Sequence, residues 1–124
     1  MIVTVEKSID LKKTVFRVIC PKLKCEIILY ENTWKDHILT NHPETESYLA
    51  LFKKLIEECD DKETIWQKKC DFSKLCIVKE VPHFQPQNTH VKIAIKIISD
   101  EKGVITTIHP ISNLPGKGMV RYDV

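Results

Sequence analysis

The chain has 124 residues, 43% apolar and 29% charged, a balance typical of one soluble globular domain with a single core. No apolar run is long enough to span a membrane, and the N-terminal M-I-V-T-V-E-K-S lacks the pattern of a secretory signal peptide. The net charge of +2 is far from the strongly basic footprint of a dedicated nucleic-acid binder. We therefore expect a cytoplasmic protein without a membrane partner.

The charge is nevertheless unevenly distributed. Residues 1–61 hold nine Lys or Arg and eleven Asp or Glu, a charge of −2, whereas residues 62–124 hold ten and six, a charge of +4. The C-terminal half is thus compatible with phosphate contacts. A solvated lysine-rich surface explains the same numbers and is the simpler interpretation of charge alone.

The first third of the chain predicts a β-hairpin. The segments T-V-F-R-V-I-C (14–20) and C-E-I-I-L-Y (25–30) are rich in β-branched residues and partly alternate. The intervening P-K-L-K is a short connection with a proline at its start. Two such strands joined by a short loop are typical of a hairpin.

A short helix is predicted next, from about residue 34 to residue 41. Thr33 and Asp36 have the spacing of a capping box, with aspartate in place of the usual Glu or Gln. Pro43 disfavours helical geometry at His42, so the helix should end there. The same proline suits the first turn of a second helix. Apolar side chains at spacings of three and four between residues 48 and 59 mark that second helix.

The last half returns to strands, predicted over 64–69, 74–81, 90–99 and 103–109. Residues 90–99 alternate between apolar side chains on one face and Lys92, Ala94 and Lys96 on the other. A loop is expected over 81–89 and an irregular surface segment over 110–124. Strands and helices that are segregated along the chain predict a single α+β domain over 1–124, with its core at about 14–109.

The five cysteines do not predict a metal site. Their spacings contain no C-x-x-C pair, and zinc sites use closely spaced Cys or His pairs. In a reducing compartment, thiols packed as small hydrophobes are the simpler interpretation. A zinc site that joins Cys20 and Cys25 to a histidine pair is the competing hypothesis. We expect no metal and no cofactor.

The segment W-K-D-H-I-L-T-N-H-P-E (34–44) carries two histidines five residues apart. On one straight helix, His37 and His42 would point about 140° apart. The bend at Pro43 can bring the imidazoles together or separate them, and the sequence leaves both open. The simpler interpretation is a helix start and a turn, in which each histidine has an ordinary structural partner and Glu44 suits the second helix's first turn.

The chemistry of these side chains nevertheless fits RNA cleavage. A metal-independent ribonuclease needs a general base, a general acid, and cations or hydroxyls around the phosphorane. Lys92 and Lys96 lie on the less apolar face of one late strand. On the next strand, Thr107 and His109 are expected on one face and Thr106 on the other. These residues also suit a strand with ordinary polar side chains.

Two elements together resemble the barnase–EndoU–colicin–RelE-like (BECR) nuclease grouping of phage- and toxin-associated domains. The first is W-x-x-H-I-x-x-x-H-P-E at the start of a helix, and the second is a late hairpin that continues into G-V-I-T-T. The residues that carry the resemblance are Trp34, His37, Ile38, His42, Pro43, Glu44, Val91, Lys92, Ile93, Gly103, Val104, Thr106 and Thr107.

The resemblance implies an N-terminal strand pair and two helices packed on a curved antiparallel sheet of about four strands. It also implies metal-independent RNA cleavage, often of tRNA or mRNA, that leaves a 2′,3′-cyclic phosphate. Position by position, the resemblance matches His37 and His42 to helix-end histidines. It matches Thr106 or Thr107 to a late-strand hydroxyl. The hypothesis is that the protein is an endoribonuclease with RNA as its substrate. One form of this hypothesis is the toxin of a toxin–antitoxin pair, which would also bind a cognate antitoxin or immunity protein. The alternative is a non-catalytic RNA- or protein-binding module. The assigned catalytic residues are His37, His42, Lys92 and Thr107, and the substrate-binding residues are Glu44, Lys96, Thr106 and His109.

Overall fold

A computed structural model describes residues 13–60, 65–69, 71–81, 89–112 and 119–121. Within these residues, seven strands form one sheet. In chain order they are β1 (Thr14–Cys20), β2 (Cys25–Tyr30), β3 (Ile65–Lys68), β4 (Asp71–Glu80), β5 (His90–Ser99), β6 (Lys102–Ile111) and β7 (Met119–Arg121). Their order across the sheet is β1-β2-β6-β5-β4-β3-β7.

The predicted sheet of about four antiparallel strands is wrong, because the described residues form a seven-stranded mixed sheet that dominates the fold. The N-terminal hairpin is part of this sheet. Strand β2 pairs in parallel with β6, with Glu26 to Ile28 beside Lys102 to Val104, whereas the other neighbouring strands are antiparallel. A parallel pair joins segments far apart in sequence, so local sequence patterns do not reveal it.

The N-terminal hairpin is confirmed with the predicted bounds. Cys20 lies opposite Cys25 at its closed end, and Arg17 lies opposite Ile28. The connecting turn places Lys24 at φ 56°, in the left-handed region that non-glycine residues seldom adopt. On the exposed face, Arg17 contacts the Glu26 carboxylate at 3.2 Å. Such an exposed ion pair contributes at most about 1 kcal/mol, so burial of the apolar face holds the hairpin in place.

The alternation predicted for residues 90–99 is also confirmed. Val91, Ile93 and Ile95 of β5 are buried in the core, while Lys92 is half-buried and Lys96 is exposed. Full burial of each large aliphatic side chain stabilises the fold by roughly 1.5–3 kcal/mol. We call the face of the sheet that carries Lys92 and Lys96 the lysine face.

The first helical segment, α1, consists of a π-helical turn, Thr33–Ile38, continued by Leu39–Asn41. Its cap is Asn32, whose Oδ1 accepts a hydrogen bond from the Thr33 amide at 2.9 Å. The predicted capping box of Thr33 and Asp36 is therefore wrong, because both residues already lie inside the helical turn. Asn32 belongs to a residue type common at helix starts, and it lies one position before Thr33.

The second helical segment, α2, begins with the 3-10 turn Pro43–Tyr48 and continues as the α-helix Leu49–Glu57. As predicted, the first helix ends before Pro43, and His42 between the two segments has φ −138° and ψ 67°. Phe52 and Ile56 are fully buried. This apolar side of α2 packs on β1, opposite the lysine face.

The short pairing of β2 with β6 positions α1. Only Glu26 to Ile28 pair with β6; β2 continues to Tyr30 beside β1, and the chain then leaves the sheet to form α1. Accordingly, α1 contacts β6 as well as β2. Because β2 and β6 run in the same direction, α1 follows the later part of β6. This arrangement brings His42 at the end of α1 to the second half of β6.

The C-terminal segment, predicted to be irregular over 110–124, contains strand residues. β6 extends to Ile111, and β7 pairs with β3, with Arg121 opposite Trp66 and Met119 opposite Lys68. Residues 113–118 and 122–124 lie outside the described residues, as do residues 82–88 of the predicted loop.

Candidate functional site

The imidazole rings of His42 and His109 stack against each other on the lysine face. Their centroids are 5.6 Å apart, and their planes differ by 25°. His42 is held at the bend between α1 and α2, and His109 lies near the end of β6. Both side chains are half-buried, so the pair combines a fixed position with access from solvent.

Glu44 fixes the state of one nitrogen of His42. Its Oε1 lies 3.3 Å from His42 Nδ1. An ionised carboxylate only accepts hydrogen bonds, so Nδ1 carries the donated proton. A proton exchanged with a substrate would therefore reside on Nε2 of His42. Glu44, assigned from sequence to substrate binding, lies where it orients His42.

Lys92 lies directly opposite His109 in the β5–β6 ladder, so the two side chains project from the same face. Partial burial lowers the pKa of His109, and the positive charges of Lys92 and His42 lower it further. Burial and neighbouring cations both disfavour an imidazolium. At neutral pH, His109 is therefore a neutral imidazole that is available to accept a proton.

A β-bulge in β6 changes the predicted positions of the two threonines. Thr107 pairs with Ala94, but Ile105 pairs with Ile95, so Thr106 is an extra residue between the two pairs. The exposed Thr106 hydroxyl lies 3.4 Å from the Ala94 carbonyl that accepts its weak hydrogen bond. The expectation that Thr106 and Thr107 face opposite sides of a regular strand is wrong, because the bulge interrupts the alternation.

His37 does not belong to the stacked pair. It is exposed on α1, and Asn41 Nδ2 lies 3.4 Å from its Nδ1 and donates to its carbonyl at 2.9 Å. His37 lines a separate open cavity of about 550 Å³, together with Tyr30, Thr33 and Thr106 among others. The ring partner of His42 is therefore His109 rather than His37, which the sequence treated as its catalytic partner.

A second concavity lies beside Lys92, between β3, β4 and β5. This groove has a volume of about 360 Å³, and Cys76 and Ala94 are among the residues that line it. Its four lysines come from three neighbouring strands and are Lys68, Lys74, Lys92 and Lys96. We call it the lysine groove. Thr106 lines both the lysine groove and the His37 cavity, so the two are neighbours.

Of the eight residues proposed from sequence, four form one cluster: His42, Glu44, Lys92 and His109. Thr107 is half-buried two residues before His109, and Lys96 lies farther along the lysine groove. Sequence reasoning missed Lys68 and Lys74. The sequence shows that these lysines lie on neighbouring predicted strands. It does not show the strand register that brings them together.

Comparison with known proteins gives no family. No family model matches the chain, and neither a curated protein nor a solved structure matches it. The resemblance to BECR nucleases therefore stays a prediction from sequence, and the function must be argued from the site itself.

The described cysteines are buried thiols rather than ligands or nucleophiles. A hydrogen bond between Cys20 and Cys59, together with burial, raises the pKa of Cys20, and burial also raises the pKa of Cys25. Burial raises the pKa of Cys76 to about 11, so it stays protonated at neutral pH. Cys70 lies outside the described residues. Within the described part of the chain, no group of three or more His, Cys, Asp or Glu side chains is placed to hold a metal ion.

No helix in the described part of the chain is both long enough and apolar enough to cross a membrane. The chemically distinctive feature of the lysine face is the cluster of His42, Glu44, Lys92 and His109. It combines one imidazole with a fixed Nδ1 proton, one neutral imidazole and one ammonium group. These groups supply an acid, a base and a cation at one place, which suits general acid–base chemistry on a phosphodiester.

Proposed function

We propose that the protein is a metal-independent endoribonuclease that cleaves RNA by transesterification at the cluster of His42, Glu44, Lys92 and His109. The observation that carries the proposal is the stack of His42 on His109 beside Lys92. A pair of imidazoles in two different environments provides separate acid and base roles.

In the proposed reaction, neutral His109 accepts the proton of the RNA 2′-hydroxyl as that oxygen attacks the adjacent phosphorus. The bond between phosphorus and the 5′-oxygen breaks, and His42, which enters the reaction as an imidazolium with protons on both Nδ1 and Nε2, donates its Nε2 proton to the leaving oxygen. His42 is left neutral with its Nδ1 proton, and His109 returns the accepted proton through solvent before the next cycle. The products are a 2′,3′-cyclic phosphate and a 5′-hydroxyl. The positive charge of Lys92 stabilises the negative charge that develops on the phosphorane oxygens.

The proposed roles differ from those assigned from sequence in three respects. Glu44 orients His42 instead of binding substrate, and Thr107 moves from the catalytic to the substrate-binding residues. His109 replaces His37 as the partner of His42, because His109 contacts His42 whereas His37 lines the neighbouring cavity. Thr106 and Thr107 then lie where they would contact parts of the RNA next to the scissile phosphate. Lys96 belongs to the lysine groove.

The test is incubation of purified protein with total RNA in EDTA, followed by analysis of the fragment ends. We expect fragments with cyclic-phosphate ends, and a loss of rate of at least about 10²-fold in His42→Ala and in His109→Ala. His37→Ala removes an imidazole from α1 outside the cluster and is the matched control, expected to keep most of the activity. Equal cleavage by wild type and both cluster variants would exclude the assignment.

The alternative function is a non-catalytic RNA-binding module. It is favoured by the internal contacts of the histidines, since His42 has partners in both His109 and Glu44. In that case RNA binds, no fragments form, and His109→Ala changes stability rather than turnover. The same incubation, with an RNA-binding measurement on the same samples, separates the two functions.

A toxin role extends the nuclease proposal to the cell and places the protein in the cytoplasm, where its RNA substrates and an antitoxin or immunity protein would be found. Growth should then stop when wild type is expressed alone and continue when His109→Ala is expressed at the same level. Equal growth with both proteins, despite cleavage in vitro, would exclude the toxin role and keep the enzyme.

A further inference from the structure

The lysine groove brings together like charges that weaken the fold. Lys74 and Lys96 lie directly opposite each other on the antiparallel strands β4 and β5. Like charges at directly opposite positions are destabilising. Lys68 on the next strand and Lys92 on β5 line the same groove. This arrangement concentrates positive charge, which an anion in the groove would neutralise.

The protein itself supplies little negative charge to the groove. Among the described residues, the one carboxylate in ion-pair contact with these four lysines is Asp71, whose Oδ2 lies 3.8 Å from Lys74 Nζ. Asp71 is itself engaged by Ser73, whose hydroxyl and amide both donate to its Oδ1. The groove therefore retains a net positive charge of about three, although the whole chain carries only +2.

The positions of the lysines trace a path that begins at the proposed catalytic cluster. Lys92 lies opposite His109, and Lys96 follows four residues along β5, roughly 13 Å away. Lys74 is beside Lys96 on β4, and Lys68 is one strand farther, so the path crosses two strand spacings of about 4.8 Å each. This path is longer than one phosphate needs.

We propose that the lysine groove binds the backbone phosphates of single-stranded RNA, which extends from the scissile phosphate at Lys92 past Lys96 and Lys74 to Lys68. This inference rests on the proposed function for the location of the cleaved bond. The groove itself recognises the regular negative charge of one strand. Its floor of Cys76 and Ala94 carries no charged group, so the lysines at its sides make the polar contacts.

The binding test uses a fluorescent single-stranded DNA oligonucleotide of about ten nucleotides, which has no 2′-hydroxyl and cannot be cleaved by transesterification. Each phosphate contact contributes about −0.7 to the slope of log K against log salt, so four contacts predict a slope of about −2.8. The variant Lys74→Gln/Lys96→Gln should halve the slope and weaken binding at least about tenfold at 0.1 M salt.

The matched control is Lys53→Gln/Lys54→Gln, which removes the same charge from exposed positions of α2, on the other side of the sheet. Its affinity and slope should equal those of wild type. Equal weakening in the control and in the groove variant would overturn the proposal, because binding would then depend only on overall charge. Binding of a duplex of the same length as tight as that of the single strand would also overturn it.

Two further outcomes separate this inference from the nuclease proposal. If the groove binds the oligonucleotide as expected and wild type cleaves no RNA, the groove stands and the nuclease proposal fails. If wild type cleaves RNA and the groove variant keeps the same KM and kcat, the nuclease stands and the groove proposal fails. When both hold, the groove variant should raise KM about tenfold and leave kcat within about twofold.

Discussion

His42 and His109 are 67 positions apart in the chain, yet their rings stack at 5.6 Å. The contact depends on α1 following the free part of β6 after the short parallel pairing with β2. One imidazole interacts with a carboxylate and the other with an ammonium group. This asymmetry gives two chemically identical side chains different properties.

The first prediction concerns acid stability. Because the pKa of His109 is lowered in the folded protein, the unfolded chain binds more protons below about pH 6.5. The free energy of unfolding of wild type, relative to His109→Gln, should therefore fall as the pH is lowered from 7 to 5. Urea denaturation across this range measures it. A constant difference from pH 5 to pH 8 would contradict the shift.

Lys92→Gln provides a second test of the lowered pKa of His109. The charge of Lys92 is one of the causes of the lowered pKa of His109. In Lys92→Gln the pKa of His109 should rise towards its ordinary value, and the loss of stability on acidification should become smaller. Nuclear magnetic resonance of the His109 ring protons across the pH range measures the pKa directly. No change in Lys92→Gln would assign the lowered pKa of His109 to burial and to His42.

Glu44 is predicted to be a positioning residue. In Glu44→Gln the side chain keeps its size but loses its charge, and its amide can present a donor to His42 Nδ1. The wrong tautomer of His42 then becomes accessible, so kcat should fall roughly tenfold or more while KM stays within about twofold. Steady-state cleavage of a short RNA measures both constants. A rise in KM with unchanged kcat would return Glu44 to substrate binding.

Lys96 is predicted to lower the stability of the folded protein while it contributes to RNA binding. Lys96→Glu replaces the like-charge pair with Lys74 by an opposite-charge pair on the same antiparallel strands. The free energy of unfolding should rise by about 0.2–1 kcal/mol, the scale of a cross-strand charge pair. Denaturation at low salt measures the gain, which should shrink at 1 M salt. A less stable variant would show that Lys74 is already neutralised by Asp71.

Local patterns in the sequence were sufficient for the hairpins. The alternation in β5 and the two β-branched runs of β1 and β2 each record which side chains face the core. They do not record which strands are neighbours. The parallel pairing of Glu26 with Lys102 and the antiparallel pairing of Met119 with Lys68 join segments far apart in sequence, so both were missed.

The same limit applies to the site. The sequence identified His42, Lys92 and His109 as candidates by residue type, but their grouping depends on strand register. The bulge at Thr106 adds one residue to β6 and moves its hydroxyl to the lysine groove. Without a glycine to mark it, this bulge was not visible in the sequence. Lys68 joins the groove through the pairing of β3 with β4.

The buried thiols lead to a prediction about reactivity. Cys20, Cys25, Cys59 and Cys76 are all buried, and the raised pKa of Cys20, Cys25 and Cys76 disfavours the reactive thiolate. In a Cys70→Ser background, native protein at pH 8 should react slowly with a disulfide reagent, and four thiols should react at once in guanidinium. Counting released thiolate by absorbance measures both. Rapid reaction in the native state would contradict the packing described for these residues.

Gly103 provides the last prediction, at the point where β6 begins its parallel pairing with β2. A Cβ atom at this position would lie 3.0 Å from Ile95 Cγ2 and 3.1 Å from Ile27 Cδ1 and from Ile97 Cδ1. Three branched side chains from two neighbouring strands therefore fill the space that a side chain would need. Gly103→Val overpacks this contact and should lower the free energy of unfolding by about 1–3 kcal/mol.

The control variant is Lys102→Val, which puts the same side chain at the preceding exposed position. It should change the free energy of unfolding by less than about 0.5 kcal/mol. Urea denaturation of both variants compares them. Equal stability would mean that β6 shifts away from β2 at little cost, and α1 and His42 would then be held by their own contacts with β6 rather than by the parallel pair.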